Sequence, residues 1–130
     1  PPILALGPHD EVVSLPTQAE RPLILNFWSA TCGMCIKELR EIQDLQAARP
    51  QAVDVLAVNI DGADGKTLQA LATQRGLTLP LAADQMGVTA ERYRVNGTPT
   101  NYLIGRDGQI LERKAGMLDT ADLQRWFSAR

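Results

Sequence analysis

Cys32 and Cys35 are the only cysteines in this chain, and they lie two residues apart in the segment Asn26-Phe27-Trp28-Ser29-Ala30-Thr31-Cys32-Gly33-Met34-Cys35. An apolar run, Leu23-Ile24-Leu25, leads into them, and a helix-patterned segment from Ile36 to Arg49 leads away. This order places Cys32 where a strand ends and a helix begins. The first backbone N–H groups of a helix have no partner, and the helix dipole is positive there. Such a point stabilises a thiolate, which is the nucleophile of disulfide exchange. Cys35 lies one turn on, within bridging distance. The pair reads as a dithiol that cycles to a disulfide.

Other uses of a C-x-x-C pair fit less well. Structural zinc wants four ligands, but there is no second cysteine pair and His9 is the single histidine. A structural disulfide closing so short a loop removes little unfolded-state entropy. Two soft thiolates could hold Cu(I), which copper titration of the reduced protein would test. A redox-inactive interaction module is disfavoured by the intact pair. No Gly-rich phosphate loop is present, and no metal or cofactor is expected.

The 130 residues, 45% of them hydrophobic, suit one globular domain spanning 1–130. The net charge of −2 and the scattered Lys and Arg give no nucleic-acid footprint. No apolar run approaches a membrane span. The chain opens Pro1-Pro2 rather than with Met, which suggests a trimmed or mature form from which a signal peptide or anchor has been removed.

The elements that must position the dithiol follow from pattern. Residues 3–6 and 11–15 read as a hairpin around Gly7-Pro8-His9-Asp10. Residues 23–28 read as a central strand buried on both faces, with Asn26 an odd polar member. Met34, Ile36, Leu39, Ile42 and Leu45 mark an amphipathic helix over 33–48. Residues 53–60 predict a β-branched strand, 66–75 a helix capped by Gly76, and 79–82 a short extended piece. Residues 88–94 predict a short helix. Residues 101–104 and 109–114 predict a hairpin about Asp107-Gly108. Asp119 or Thr120 caps a last helix carrying Leu123, Trp126 and Phe127 inward. The sum is an α/β fold, a mixed sheet with helices on both faces.

Taken together, Asn26 to Cys35, Glu38, Thr98-Pro99-Thr100 and Asp107-Gly108 resemble the thioredoxin superfamily, and within it the extracytoplasmic thiol–disulfide oxidoreductases of the TlpA/ResA type. The early hairpin and the insertion over 61–81 are similar to that branch. The resemblance implies a thioredoxin-like fold with Cys32 as attacking thiol and Cys35 as shielded resolving thiol. It also implies a cis Thr98–Pro99 bond against the dithiol, leaving the Thr98 backbone free to pair with a substrate strand. Glu38 matches an acid of this branch. It lies three residues beyond Cys35 on one helix face, partly in water, where it could accept the Cys35 proton. Substrate contact is expected from Trp28, Thr31, Gly33, Met34, Thr98 and Pro99.

The implied activity is reduction of extracytoplasmic protein disulfides, such as those of apocytochrome c or a copper-site cysteine pair. The alternatives are a disulfide-donating oxidant or a Cu(I) metallochaperone. Copper-assembly relatives use a longer cysteine spacer and a distal histidine, unlike this chain. Electrons would come from an upstream dithiol protein, with a membrane-embedded donor one option, and the protein is expected to act as a monomer. Three departures stand out: Thr31 where Trp is usual, Met34 where Pro is common, and Arg40 where a kinking Pro is frequent, which predicts a straighter helix. Asn26 replaces the buried Asp of cytosolic thioredoxin and shifts acid–base duty toward Glu38. Asp61 is a weaker candidate acid.

Overall fold

In the computed structural model, which describes residues 1–129, seven strands form one sheet. In chain order they are β1 (Ala5–Leu6), β2 (Val12–Val13), β3 (Leu23–Trp28), β4 (Asp54–Asn59), β5 (Leu81–Asp84), β6 (Thr100–Ile104) and β7 (Ile110–Ala115). Their spatial order is β2-β1-β5-β4-β3-β6-β7. The helices are α1 (Gly33–Ala48), α2 (Gly65–Arg75), α3 (Val88–Arg92) and α4 (Thr120–Trp126).

The central strand β3 pairs parallel with β4 and antiparallel with β6. Because side chains alternate across a strand, Ile24, Asn26 and Trp28 point to one face and Leu25 and Phe27 to the other. On the first face Ile24 and Trp28 pack with Leu39, Ile42, Leu68, Leu123 and Trp126. On the second, Leu25 and Phe27 pack with Leu56, Val58, Tyr93 and Tyr102. A fully buried Leu or Phe side chain contributes about 1.5–3 kcal/mol, so this two-sided core holds β3 firmly. The strand's C-terminal end therefore delivers Ser29 to Cys32 from a rigid base.

Helix α1 spans 33–48 as its periodicity predicts and runs without interruption past Arg40. Instead of a proline kink, Arg40 Nε and Nη2 donate to the Arg75 carbonyl at 2.9 and 2.7 Å. This caps the C-terminal end of α2, where a cation meets the negative end of a helix dipole. Gly76 closes α2 in the left-handed region, with φ 66°, a conformation glycine adopts without penalty.

Several boundaries differ from the sequence expectation. The first strand begins at Ala5 rather than Ile3, because Leu4 turns aside to α3. Its N–H donates to Thr89 Oγ1 at 2.8 Å, and its carbonyl accepts from the same hydroxyl at 3.0 Å. Strand β5 begins at Leu81, two residues late, since Pro80 has no N–H to donate. Helix α3 stops at Arg92, and Arg94 beyond it takes a left-handed φ of 53°. The N-terminal hairpin extends the sheet beside β5. It is also seated on α2: Gln69 Nε2 donates to the Pro8 carbonyl at 2.6 Å, and a Cβ at Gly65 would lie 2.6 Å from that oxygen.

Candidate active site

Strand β3 ends at Trp28, and the chain turns through Ser29–Thr31 into Cys32, the N-cap of α1. Asp61 fixes this turn from the end of β4. Its carboxylate accepts from Ser29 Oγ at 2.7 Å, the Ala30 N–H at 2.8 Å and Asn59 Nδ2 at 3.0 Å. Partial burial works against that charge, but these donors outweigh it and hold the Asp61 pKa below the usual carboxylate value. Asp61 is therefore an ionised clamp on the loop. The weaker candidate acid of the sequence thus holds the loop ahead of Cys32, and a carboxylate so satisfied has little basicity near neutral pH.

Cys32 and Cys35 form a disulfide, with Cα atoms 5.2 Å apart. Cys35 is fully buried, whereas Cys32 is half-buried beside the exposed Thr31, Gly33 and Met34. The Cys35 N–H points at Cys32 Sγ, 3.2 Å away. A Cys32 thiolate would keep this donor and the helix terminus behind it. No Lys, Arg or His lies within three residues of Cys32 in the sequence, but the fold brings one to the loop ahead of it: Arg75 Nη2 donates to the Ala30 carbonyl at 3.4 Å.

The loop between α3 and β6 closes the other side of the pair. The Thr98–Pro99 bond is cis, and the Thr98 carbonyl oxygen lies 3.7 Å from Cys32 Sγ. Pro99 is buried and Thr98 half-exposed. The loop is tied down by Thr100 Oγ1 donating to the Gly97 carbonyl at 2.7 Å and by the Gly116 N–H donating to the Pro99 carbonyl at 2.8 Å.

Glu38 is fully buried, not half in water. It lies on α1 one turn beyond Cys35 and faces β3 and β6. Asn26 and Asn101 are direct partners in that strand pair. Asn26 Nδ2 donates to Glu38 Oε1 at 2.8 Å and also to Asn101 Oδ1 at 2.8 Å. Asn101 Nδ2 donates to Glu38 Oε1 at 3.0 Å and Oε2 at 3.2 Å. The Leu118 N–H, ahead of α4, donates to Oε2 at 2.6 Å. Burial drives the Glu38 pKa upward, and the nearby Glu41 adds to this. The donors pull it back, and the balance is pushed up to about 7. The site thus carries, one helical turn beyond the buried Cys35, a buried carboxyl that can lose or gain a proton near neutral pH.

Of the residues expected at the substrate rim, Thr31, Gly33 and Met34 are exposed, Thr98 lies against Cys32 through its carbonyl, and Pro99 follows it, buried. Trp28 departs from that expectation. Its side chain is fully buried in the core under α1, because position 28 shares the strand face of Ile24, so it supports the site from below. Sequence reasoning missed Asn101 and the Leu118 N–H. A polar residue directly ahead of the stretch Tyr102-Leu103-Ile104, at the start of a buried strand, was a signal for Asn101, like the odd Asn26. The backbone donor of Leu118 left none.

Residues 3–113 match the AhpC/TSA family. The chain is 28% identical over 119 residues to sporulation thiol-disulfide oxidoreductase A of Bacillus subtilis, covering 89% of this chain and 72% of that protein. It is 30% identical over 104 residues to the thiol-disulfide oxidoreductase ResA of Geobacillus kaustophilus, covering 79% of this chain but only 59% of ResA. The crystal structure of StoA from Bacillus subtilis superposes with a TM-score of 0.78 at 26% identity, covering 97% of this chain and 96% of that one.

Proposed function

Since this chain belongs to the AhpC/TSA family and is a thiol–disulfide oxidoreductase of thioredoxin-like fold, we propose that it acts as a dithiol reductant of extracytoplasmic protein disulfides. Reduced Cys32, as thiolate, attacks one sulfur of a substrate disulfide. That S–S bond breaks, a mixed disulfide forms through Cys32, and the first substrate thiolate leaves. Glu38, ionised, takes the proton of Cys35. The Cys35 thiolate attacks Cys32 Sγ, closing the Cys32–Cys35 disulfide and releasing the second substrate sulfur. Two electrons pass to the substrate, whose two thiolates take up, through solvent, the protons given up by Cys32 and, by way of Glu38, by Cys35, which leaves Glu38 ionised again; an upstream dithiol protein then resets the pair.

The single observation that carries this reading is the contrast between the two thiols. Cys32 stands at the rim at a helix N-terminus, whereas Cys35 is fully buried, one helical turn before a buried carboxyl whose pKa is pushed up to about 7. General bases work best when their pKa lies near the operating pH. Substrate contact falls to Thr31, Gly33, Met34, Thr98 and Pro99, with the half-exposed Thr98 backbone available to an extended substrate strand. The substrates proposed are paired cysteines, as in apocytochrome c or a copper site. No described helix is long and apolar enough to cross a membrane.

The test is the equilibrium potential of the Cys32–Cys35 pair against glutathione. A reductant should lie near or below thioredoxin's potential of about −270 mV. A value near about −120 mV, that of a strong disulfide donor, would overturn the reductive direction.

A further inference from the structure

A groove of about 400 Å³ opens beside the dithiol, walled by the 96–100 loop on one side and by Arg113 and Gly116 of the β7 edge on the other. We infer that this groove receives the substrate chain next to its cysteine and that Arg113 selects substrates with an acidic side chain there. This rests on the proposed disulfide reduction and names the class of protein that the site prefers.

Three observations lead to it. The first is continuity. Thr98 lines the groove, and its carbonyl lies 3.7 Å from Cys32 Sγ, so a chain joined to Cys32 and laid along Thr98 enters the groove. The second is preorganisation. Arg113 faces Tyr102 across the β6–β7 pair, and its Nε donates to Tyr102 Oη at 2.9 Å. Its guanidinium carbon sits 5.8 Å from the Tyr102 ring centroid, and Nη2 donates to the Arg94 carbonyl at 3.3 Å. An arginine already held in place loses little freedom when it takes a partner.

The third is charge. On the opposite face of β7, Lys114 pairs with Asp122 at 2.6 Å, and Glu112 is taken by Arg125. Arg113 makes no ion pair among the described residues. The strand thus spends its carboxylate on the α4 side and leaves a fixed, uncompensated cation at the groove, in a chain whose net charge is −2. The complement to that wall is a carboxylate, and Arg binds carboxylates in a two-pronged geometry that few other side chains match.

The experiment uses two disulfide peptides identical except for Glu or Gln at the positions flanking the reactive cysteine. The second-order rate of each with the fully reduced protein is measured for wild type, Arg113→Gln and Arg113→Lys. Wild type should favour the Glu peptide about tenfold. The ratio should fall to near one in Arg113→Gln and recover in part in Arg113→Lys, which keeps charge but not the fork. Raising salt from ~0.02 to ~0.5 M should also shrink the wild-type ratio, since exposed charges are screened. A wild-type ratio near one, a ratio insensitive to salt, or a preference that survives in Arg113→Gln overturns the inference. Should Arg113→Gln not fold, the wild-type ratio and its salt response decide. Absence of any reaction with either peptide in wild type would instead count against the proposed reduction itself.

Discussion

At the scale of single residues, the proposed chemistry asks Glu38 to take the Cys35 proton. Burial holds its pKa at about 7, so the rate of mixed-disulfide resolution should rise as pH passes through that value and Glu38 ionises. Glu38→Gln keeps the shape and loses the base. Stopped-flow resolution across pH 6 to 9 should be slowed by ~100-fold or more, the range for a well-placed general base, with the inflection gone and the initial attack by Cys32 less affected. The same shift sets a stability trend. A carboxyl whose folded pKa lies above its unfolded value of 4.5 binds its proton more tightly in the folded state. Its contribution is therefore complete below about 4.5 and lost as pH rises through about 7. Urea unfolding of the oxidised protein should show stability declining across that window by up to about 3 kcal/mol, and Glu38→Gln should flatten the decline.

The attacking thiol carries its own expectation. Helix α1 and the Cys35 N–H both favour the Cys32 thiolate, so the alkylation–pH profile of the reduced protein should have its midpoint below the free-thiol value of ~8.5. A midpoint above the free value would contradict the role given to Cys32.

At the scale of elements, the dithiol is placed by β3, α1 and the loop before β6, and each was largely legible in the sequence. The continuous apolar run predicted β3, and the 3–4 spacing of Met34, Ile36, Leu39 and Ile42 predicted α1. What could not be read is where long-range partners fall. Asn26 is conspicuous as a polar residue in a buried strand, but its partner Asn101 follows only from the β3–β6 register, which pattern alone does not set. Thus the clamp that draws Glu38 fully inside was hidden, and a half-wet Glu38 was expected. Trp28 is a different case: the reading of 23–28 as a strand buried on both faces already places it inside, with Ile24 on the same face, and that reading conflicts with a place for it at the substrate rim. The N-terminal hairpin tests the packing directly. Gly65 leaves room for the Pro8 carbonyl, and Gly65→Ala should cost about 1–3 kcal/mol, read as a lowered denaturant midpoint with the C-x-x-C chemistry retained.

At the scale of the whole molecule, a two-sided core presents the sulfur of Cys32 at its edge and keeps Cys35 and the Glu38 carboxyl inside. The family was legible from Cys32, Cys35, Glu38 and Thr98-Pro99 because these residues are short-range signals of chemistry. The charged wall at Arg113 was not, because it depends on which face of β7 each side chain takes. The central claim is that Cys32 attacks first and Cys35 resolves, and trapping tests it most directly. Reduced Cys35→Ser is mixed with a disulfide substrate, and intact protein mass is recorded beside that of Cys32→Ser. The account predicts that Cys35→Ser accumulates a mixed disulfide through Cys32 within the wild-type turnover time, and that Cys32→Ser accumulates none. A mixed disulfide formed instead through Cys35 in Cys32→Ser, with Cys35→Ser unreactive, would contradict it.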